Sequence, residues 1–294
     1  MTIAERATTL RLKDGRALGY AEYGDPSGTP LFYFHGFPNS RENARLADDA
    51  ARRNHVRLIA LERPGFGLSD FKRGRTLADW PDDVSEAADA LGVGRFGIVG
   101  LSGGGPYVAA CAAKIPDRLT TAGIVSGVGP LTERAARKGY PLSTRIGMWF
   151  WRYIPFLLTF AMWFSALSVR RNADNALRWS IRRLPPVDKE LFDRPEVWAA
   201  MRDDIRESFR QGGRAAAQEM RLYLRRWNVD PKTIPIEVLL WHGDADTMVP
   251  ISNGRYMAET IPNCRATYYP GEGHFLIVKH AADIEVALLA QMRR

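Results

Sequence analysis

The sequence predicts an α/β fold: a mostly parallel central sheet flanked by helices, with a helical segment inserted into it. Three observations predict this. Short apolar runs without alternation recur at Leu31–Phe34, Val56–Leu61, Arg95–Val99 and Thr120–Ser126, as strands buried on both faces require. Helical patterns stand between them, at Arg41–Arg53, Leu77–Leu91 and Gly103–Ile115, which favours crossover connections and parallel pairing. The rhythm then stops at Gly127-Val128-Gly129-Pro130 and resumes only at Ile234-Pro235.

The elements follow in order. Thr8–Leu12 and Ala17–Tyr23 alternate around Asp14-Gly15, a two-residue hairpin signal. Asp25-Pro26-Ser27-Gly28 is a turn, and the strand–helix series above comes next. Residues 130–230 hold six of the eight tryptophans, many arginines and no clear strand. Within them Ile205–Trp227 reads as one or two helices broken near Gly212-Gly213. A strand at Ile236–Trp241, a helix at Ser252–Ile261, a strand at Arg265–Tyr269 and a helix at Ala281–Met292 close the chain. The plan is a sheet-based core over residues 1–129 and 231–294, interrupted by an all-helical cap over 130–230.

Composition bounds what such a chain does. With 294 residues, 46% of them hydrophobic, it can bury a large core, and 25% charged residues exclude wholesale disorder. Cys111 and Cys264 make no disulfide framework, and Cys111 sits in a small-residue helical stretch where it reads as packing. Met1–Leu10 carries Glu5 and Arg6 and no apolar run, so no secretory leader is expected and a cytoplasmic location is. Without a Gly-Lys-Ser/Thr loop, a Cys-x-x-Cys pair or a His-x-x-x-His pair, nucleotide and metal sites have no foothold, and no cofactor is expected. Residues 130–230 hold 19 Lys/Arg and 11 Asp/Glu, which accounts for the whole net charge of +8. The core is therefore neutral and the insertion basic. That excess reads first as a solvated face and second as a guide for anionic substrates. No nucleic-acid module accompanies it.

Gly100-Leu101-Ser102-Gly103-Gly104 fits G-x-S-x-G in the strand–turn–helix context that the motif needs. A tight turn there lifts the Ser102 hydroxyl clear of the sheet, with a helix N-terminus behind it favouring negative charge. A serine hydroxyl needs a base. His274 is the candidate, on the glycine-flanked loop Gly271-Glu272-Gly273-His274-Phe275 between the last strand and the last helix. The orienting acid belongs on the loop after the preceding strand, where Trp241-His242-Gly243-Asp244-Ala245-Asp246 offers two aspartates. Asp244, nearer the strand end, is suited to capping backbone donors in the turn.

Taken together these motifs resemble the capped α/β-hydrolase superfamily. The resemblance rests on His35-Gly36-Phe37-Pro38, Arg63-Pro64-Gly65-Phe66-Gly67-Leu68-Ser69-Asp70, the turn at Ser102, Gly243-x-x-Asp246 and Gly273-His274-Phe275, and it spans the core, leaving the cap unmatched. It implies the α/β-hydrolase fold and a triad of Ser102, Asp246 and His274, in the chain order Ser, Asp, His. It also implies an oxyanion hole built from the backbone N–H groups of Phe37 and Gly103, with Phe37 shaping the acyl pocket as well. Serine as nucleophile argues against the branches that use aspartate. Phe37 and Pro38 depart from the His-Gly-Gly-Pro-Gly of proline iminopeptidases, and Glu62 replaces the aspartate common before Arg-Pro-Gly. The implied reaction is cleavage of a carboxylic ester or related acyl bond through an acyl-enzyme. Carbon–carbon bond hydrolysis, cofactor-free perhydrolysis and ligand binding without catalysis are the alternatives.

The most hydrophobic stretch is Ile146–Val169, divided by Arg152 and Pro155. It predicts a pair of buried cap helices, with Trp149, Trp151, Phe156, Phe160, Trp163 and Phe164 lining an apolar pocket above Ser102 for a small hydrophobic substrate. A second reading places these aromatics at a membrane surface, with Arg145, Arg170 and Arg171 at the head groups.

Overall fold

The structure, a computed structural model, describes residues 8–292; the first seven residues, within the stretch read for a leader, lie outside it. Eight strands form one sheet: β1 (Thr8–Arg11), β2 (Ala17–Gly24), β3 (Thr29–Phe34), β4 (Val56–Leu61), β5 (Phe96–Leu101), β6 (Leu119–Val125), β7 (Val238–Gly243) and β8 (Cys264–Tyr269). Their order across the sheet is β1-β2-β4-β3-β5-β6-β7-β8. β2 pairs antiparallel with both β1 and β4, and every later pairing is parallel. The hairpin between β1 and β2 turns at Gly15, whose φ of +86° suits glycine. Strand β5 sits in the middle of the sheet and is buried at every residue.

Helices α1 (Asp48–Arg53), α2 (Trp80–Ala90) and α3 (Gly105–Lys114) cross between the parallel strands. Arg41–Ala47, read as the first half of a helix, instead forms 3₁₀ turns capped by the Ser40 hydroxyl on the Glu42 N–H. Between β6 and β7 the chain forms only helices: α4 (Arg134–Arg137), α5 (Leu142–Tyr153), α6 (Pro155–Arg171), α7 (Ala173–Ile181), α8 (Pro186–Lys189), α9 (Pro195–Ser208) and α10 (Arg214–Leu224). Helices α11 (Ser252–Thr260) and α12 (Ile277–Met292) complete the core, the latter starting four residues before the sequence pattern indicated.

The expected pocket aromatics require a correction. Trp149, Phe156, Phe160 and Trp163 are 54%, 69%, 62% and 55% exposed and stand on the outer surface of the insertion. Helix α6 turns its smaller residues inward instead: Ala166 and Val169 pack with Phe66, Ala215 and Ala216. A close helix–helix approach needs small side chains at the contact, so the large rings are left outside. Phe164 is exposed like its neighbours, and Trp151 alone of the six packs against the core cluster.

Candidate active site

The residues singled out in the sequence emerge from the C-terminal ends of four parallel strands, where open α/β sheets carry their sites. Ser102 follows β5 with a φ of +53°, a region that costs a non-glycine residue about 1–3 kcal/mol and recurs at functional positions. The turn closes only because its flanks lack side chains. A β-carbon on Gly100 would stand 2.6 Å from the Gly104 carbonyl oxygen, and one on Gly104 would collide with the Phe34 carbonyl. Ser102 is 7% exposed and sits at the amino end of the short turn leading into α3.

The loop after β3 folds over this turn. A β-carbon on Gly36 would lie 3.4 Å from the Ser102 Cβ, and one on Gly103 would lie 2.9 Å from the Phe37 Cβ. Among the described residues, neither the Phe37 nor the Gly103 N–H is committed to another acceptor. The Phe37–Pro38 peptide bond is cis.

Asp246 and His274 come from the loops after β7 and β8. The His274 Nδ1 lies 2.7 Å from the Asp246 Oδ2, and both residues are buried. The other carboxylate oxygen of Asp246 accepts the N–H groups of Met248 and Val249, each at 2.8 Å. Burial alone would raise the Asp246 pKa, but the His274 and His242 rings beside it hold it down at about 2. Burial pulls the His274 pKa down, yet the Asp246 carboxylate more than offsets this and leaves it above the ordinary imidazole value. Asp244 accepts the Gly271 N–H at 2.7 Å and ties the same two loops together. Two of the remaining histidines are otherwise engaged: His35 lies buried between the Gly36 carbonyl and the Arg63 N–H, and His242 donates to the Val249 carbonyl at 2.7 Å.

Sequence reasoning missed three carboxylates from the helical insertion. Asp188, on α8, accepts the His274 N–H at 2.9 Å and the Phe275 N–H at 3.0 Å. Asp204, on α9, accepts from the backbone and hydroxyl of Ser40 at 2.7 and 2.8 Å and from the Asn39 side chain; burial pushes its carboxyl up to about 7. Glu219, on α10, takes Arg63 at 2.6 Å and also pairs with Arg75. Arg63 in turn donates to the carbonyls of His35 and Gly36 at 2.6 and 2.8 Å, and the Tyr223 hydroxyl reaches Glu219 at 2.6 Å and the Gly103 carbonyl at 2.9 Å. The loops after β3, β4 and β8 are therefore each held by a buried acid from the insertion. The signal was present on α10, where Glu219 and Tyr223 share one face, four residues apart, with Ala215 and Ala216. Glu62, the departure before Arg-Pro-Gly, is also buried; it accepts from Arg41 at 2.6 Å and from the Leu68 N–H at 2.7 Å. Among the described residues no group of three or more His, Cys, Asp or Glu side chains comes together to hold a metal.

A family model described as the alpha/beta hydrolase fold matches residues 29–281. A bifunctional esterase/perhydrolase of Acinetobacter calcoaceticus is 24% identical over 96% of this chain and 98% of its own length. A 2-hydroxymuconate semialdehyde hydrolase of Pseudomonas putida is 27% identical over 86% of this chain and 83% of its own length. Among solved structures, an esterase from Exiguobacterium antarcticum superposes with a TM-score of 0.70 at 17% identity, covering 98% of this chain and all of that one.

Proposed function

The chain belongs to the α/β-hydrolase family, and on that premise we propose that it is a serine hydrolase cleaving carboxylic esters or related acyl bonds of small to medium hydrophobic substrates. The observation that carries the reading is the buried 2.7 Å pair of His274 Nδ1 and Asp246 Oδ2 on the loops after the neighbouring strands β7 and β8; a serine held at a positive φ after β5 supports it. Asp246 fixes the tautomer that leaves His274 Nε2 free to take a proton. Ser102 Oγ attacks the carbonyl carbon, its proton passes to Nε2, and the oxyanion forms against the N–H groups of Phe37 and Gly103. Collapse expels the alcohol, which takes the proton from His274. Water, deprotonated by the same ring, then releases the acid and regenerates Ser102. The helical insertion acts as the cap that limits the acyl group, with Trp151 as its inward-facing aromatic and Phe37 contributed by the loop after β3. The substrate is a small molecule, and no cofactor takes part.

The test is initial rates on p-nitrophenyl esters from acetate to dodecanoate, with fluorophosphonate labelling mapped by peptide mass. Turnover with the label on the Ser102 peptide supports the reading, and the preferred chain length sizes the pocket. No turnover and no label would sink it and leave a ligand-binding role. The second reading rests on the relatives, named an esterase/perhydrolase and a semialdehyde hydrolase. Peracid formed from a carboxylic acid and hydrogen peroxide, or a carbon–carbon bond cleaved faster than any ester, would move the assignment there.

His274 must be neutral to accept the proton. Because its pKa is raised, kcat/KM is expected to fall on the acid side with an apparent pKa above about 6.5, the ordinary imidazole value. Asp188 contributes to that rise from behind the loop and is a positioning residue. Replacing it, as Asp188→Asn, removes a negative charge, so the neutral ring persists to lower pH and the acid limb moves down. Losing one of two backbone anchors on the loop should also lower kcat about tenfold. A pH–rate profile that keeps its limb would show that the Asp188 charge does not reach the imidazole.

A further inference from the structure

Helices α5 and α6 expose two apolar stripes. On α5 the outward residues are Leu142, Ile146, Trp149, Phe150 and Tyr153; on α6 they are Phe156, Leu157, Phe160, Trp163 and Phe164. Each set follows the three- and four-residue spacing of one helical face. The polar groups of α6 are turned back into the helix: the hydroxyls of Thr159, Ser165 and Ser168 bond the carbonyls of Pro155, Ala161 and Phe164 at 3.0, 2.9 and 3.0 Å. As far as Val169, helix α6 is thus apolar all round, with its inner face packed on α10 and its outer face bare. An exposed patch of this size and aromatic content marks an interaction surface.

Its surroundings identify the partner. Between Leu142 and Arg183 the chain has seven arginines and one acidic residue, Asp174. All seven arginines are exposed. Behind the first turn of α6, at Thr159, lies a cleft of about 520 Å³ whose wall contains Arg73, Arg75, Arg214, Arg221, Arg225 and Arg226 and no carboxylate. Arg221 crosses from that wall to the helix, donating to the Pro155 carbonyl at 2.9 Å and the Thr159 hydroxyl at 2.6 Å. Apolar rings bordered by exposed arginines, beside a cleft wall that holds six arginines and no carboxylate, match a surface whose interior is hydrocarbon and whose rim is anionic. A second copy of the chain would bring the same arginines against these and repel.

We propose that the α5–α6 hairpin docks on an anionic phospholipid bilayer, its two stripes lying in the acyl boundary and the arginine-lined cleft facing the head groups. The docking is interfacial. Among the described residues no single helix is long and apolar enough to cross a membrane, and the two helices meet at 110°, so in this docking the stripes lie along the surface. This holds whether or not Ser102 is a nucleophile.

The experiment is flotation of the full chain with vesicles of phosphatidylcholine alone and of phosphatidylcholine with phosphatidylglycerol, at low and high salt. Co-flotation with the phosphatidylglycerol vesicles at low salt is expected, weakening at high salt and absent with phosphatidylcholine alone. The double variant Phe160→Ser/Trp163→Ser replaces two exposed rings and should retain the wild-type circular dichroism and Tm while binding at least about tenfold more weakly. Arg225→Glu/Arg226→Glu should lose a similar factor, because each basic residue near an anionic surface contributes. Wild-type protein that stays at the bottom at low salt overturns the proposal. So does a ring variant that floats like wild type, or sedimentation equilibrium in which those same rings hold a dimer and no vesicle binds.

Discussion

Replacing Ser102 with alanine is expected to lower kcat/KM for the best p-nitrophenyl ester by about 10⁴–10⁶-fold, the loss seen when a nucleophile that acts as one unit with its base is removed. Asp246→Asn should cost about 10⁴-fold, because an amide stabilises the wrong tautomer of His274 and no longer balances the imidazolium. Combining the two should cost no more than Ser102→Ala alone, since without the hydroxyl there is no proton for the ring to take. Stability gives an independent check. Ser102 is held at a φ of +53°, and alanine keeps the β-carbon that makes this conformation costly. Ser102→Gly should be as inactive as Ser102→Ala yet more stable than it by about 1 kcal/mol, measured by urea unfolding. A Ser102→Ala protein that keeps a tenth or more of the wild-type rate would remove Ser102 from the chemistry. Equal stability of the alanine and glycine variants would mean that the turn stores no strain.

The core of this fold was readable because its signals are local. A parallel strand buried on both faces is a short apolar run, and Gly100 and Gly104 are forced by contacts within the turn, with the helix after it and with the adjacent strand end. The loops that carry His274 and Asp246 were findable for the same reason, since the position of each follows from the strand before it; the choice of Asp246 over Asp244 came from the family resemblance. The helical insertion was less legible. Its hydrophobic residues indicated helices, but apolar periodicity does not say which of two apolar faces of α6 is inside. Size decided it, because Ala166 and Val169 let α6 approach Phe66 and α10 closely while Trp163 and Phe160 could not. The three inserted acids escaped for a related reason. Asp188, Asp204 and Glu219 look like the acidic half of a charged surface, and only the long-range pairing with loops up to 165 residues away reveals them as interior. This partition also accounts for the basic character of the insertion: part of its acid content is spent inside, on the site loops, while its arginines remain outside.

Glu219 is where that partition is most exposed to test. Arg63 and Glu219 are both 0% exposed, Arg75 pairs with the second carboxylate oxygen, and the Tyr107 hydroxyl adds a bond to it at 2.7 Å. Burial by itself would raise the Glu219 pKa, but Arg63 and Arg75 hold it down at about 2. Removing the carboxylate as Glu219→Ala leaves a guanidinium in the interior without its counter-charge, a change that costs about 3–5 kcal/mol. Against a total stability of about 5–15 kcal/mol that is a large fraction, and Tm should fall by about 5–8 °C. Glu219→Gln keeps the shape and one acceptor and should fall between wild type and alanine. The pH dependence has a definite sign. A carboxylate whose folded pKa is depressed stabilises the fold fully above its unfolded value, near 4.5, and loses that contribution as pH falls towards about 2. Wild type and Glu219→Gln should therefore converge in stability across that interval if both remain folded, which urea midpoints at stepped pH would reveal. A loss below about 1 kcal/mol on Glu219→Ala would mean that water reaches Arg63 once the acid is gone. Activity should fall further than stability alone accounts for, because Arg63 holds the His35 and Gly36 carbonyls and Tyr223 holds the Gly103 carbonyl. Both proposed oxyanion donors rest on that one buried acid, so kcat should fall in Glu219→Gln with KM little changed.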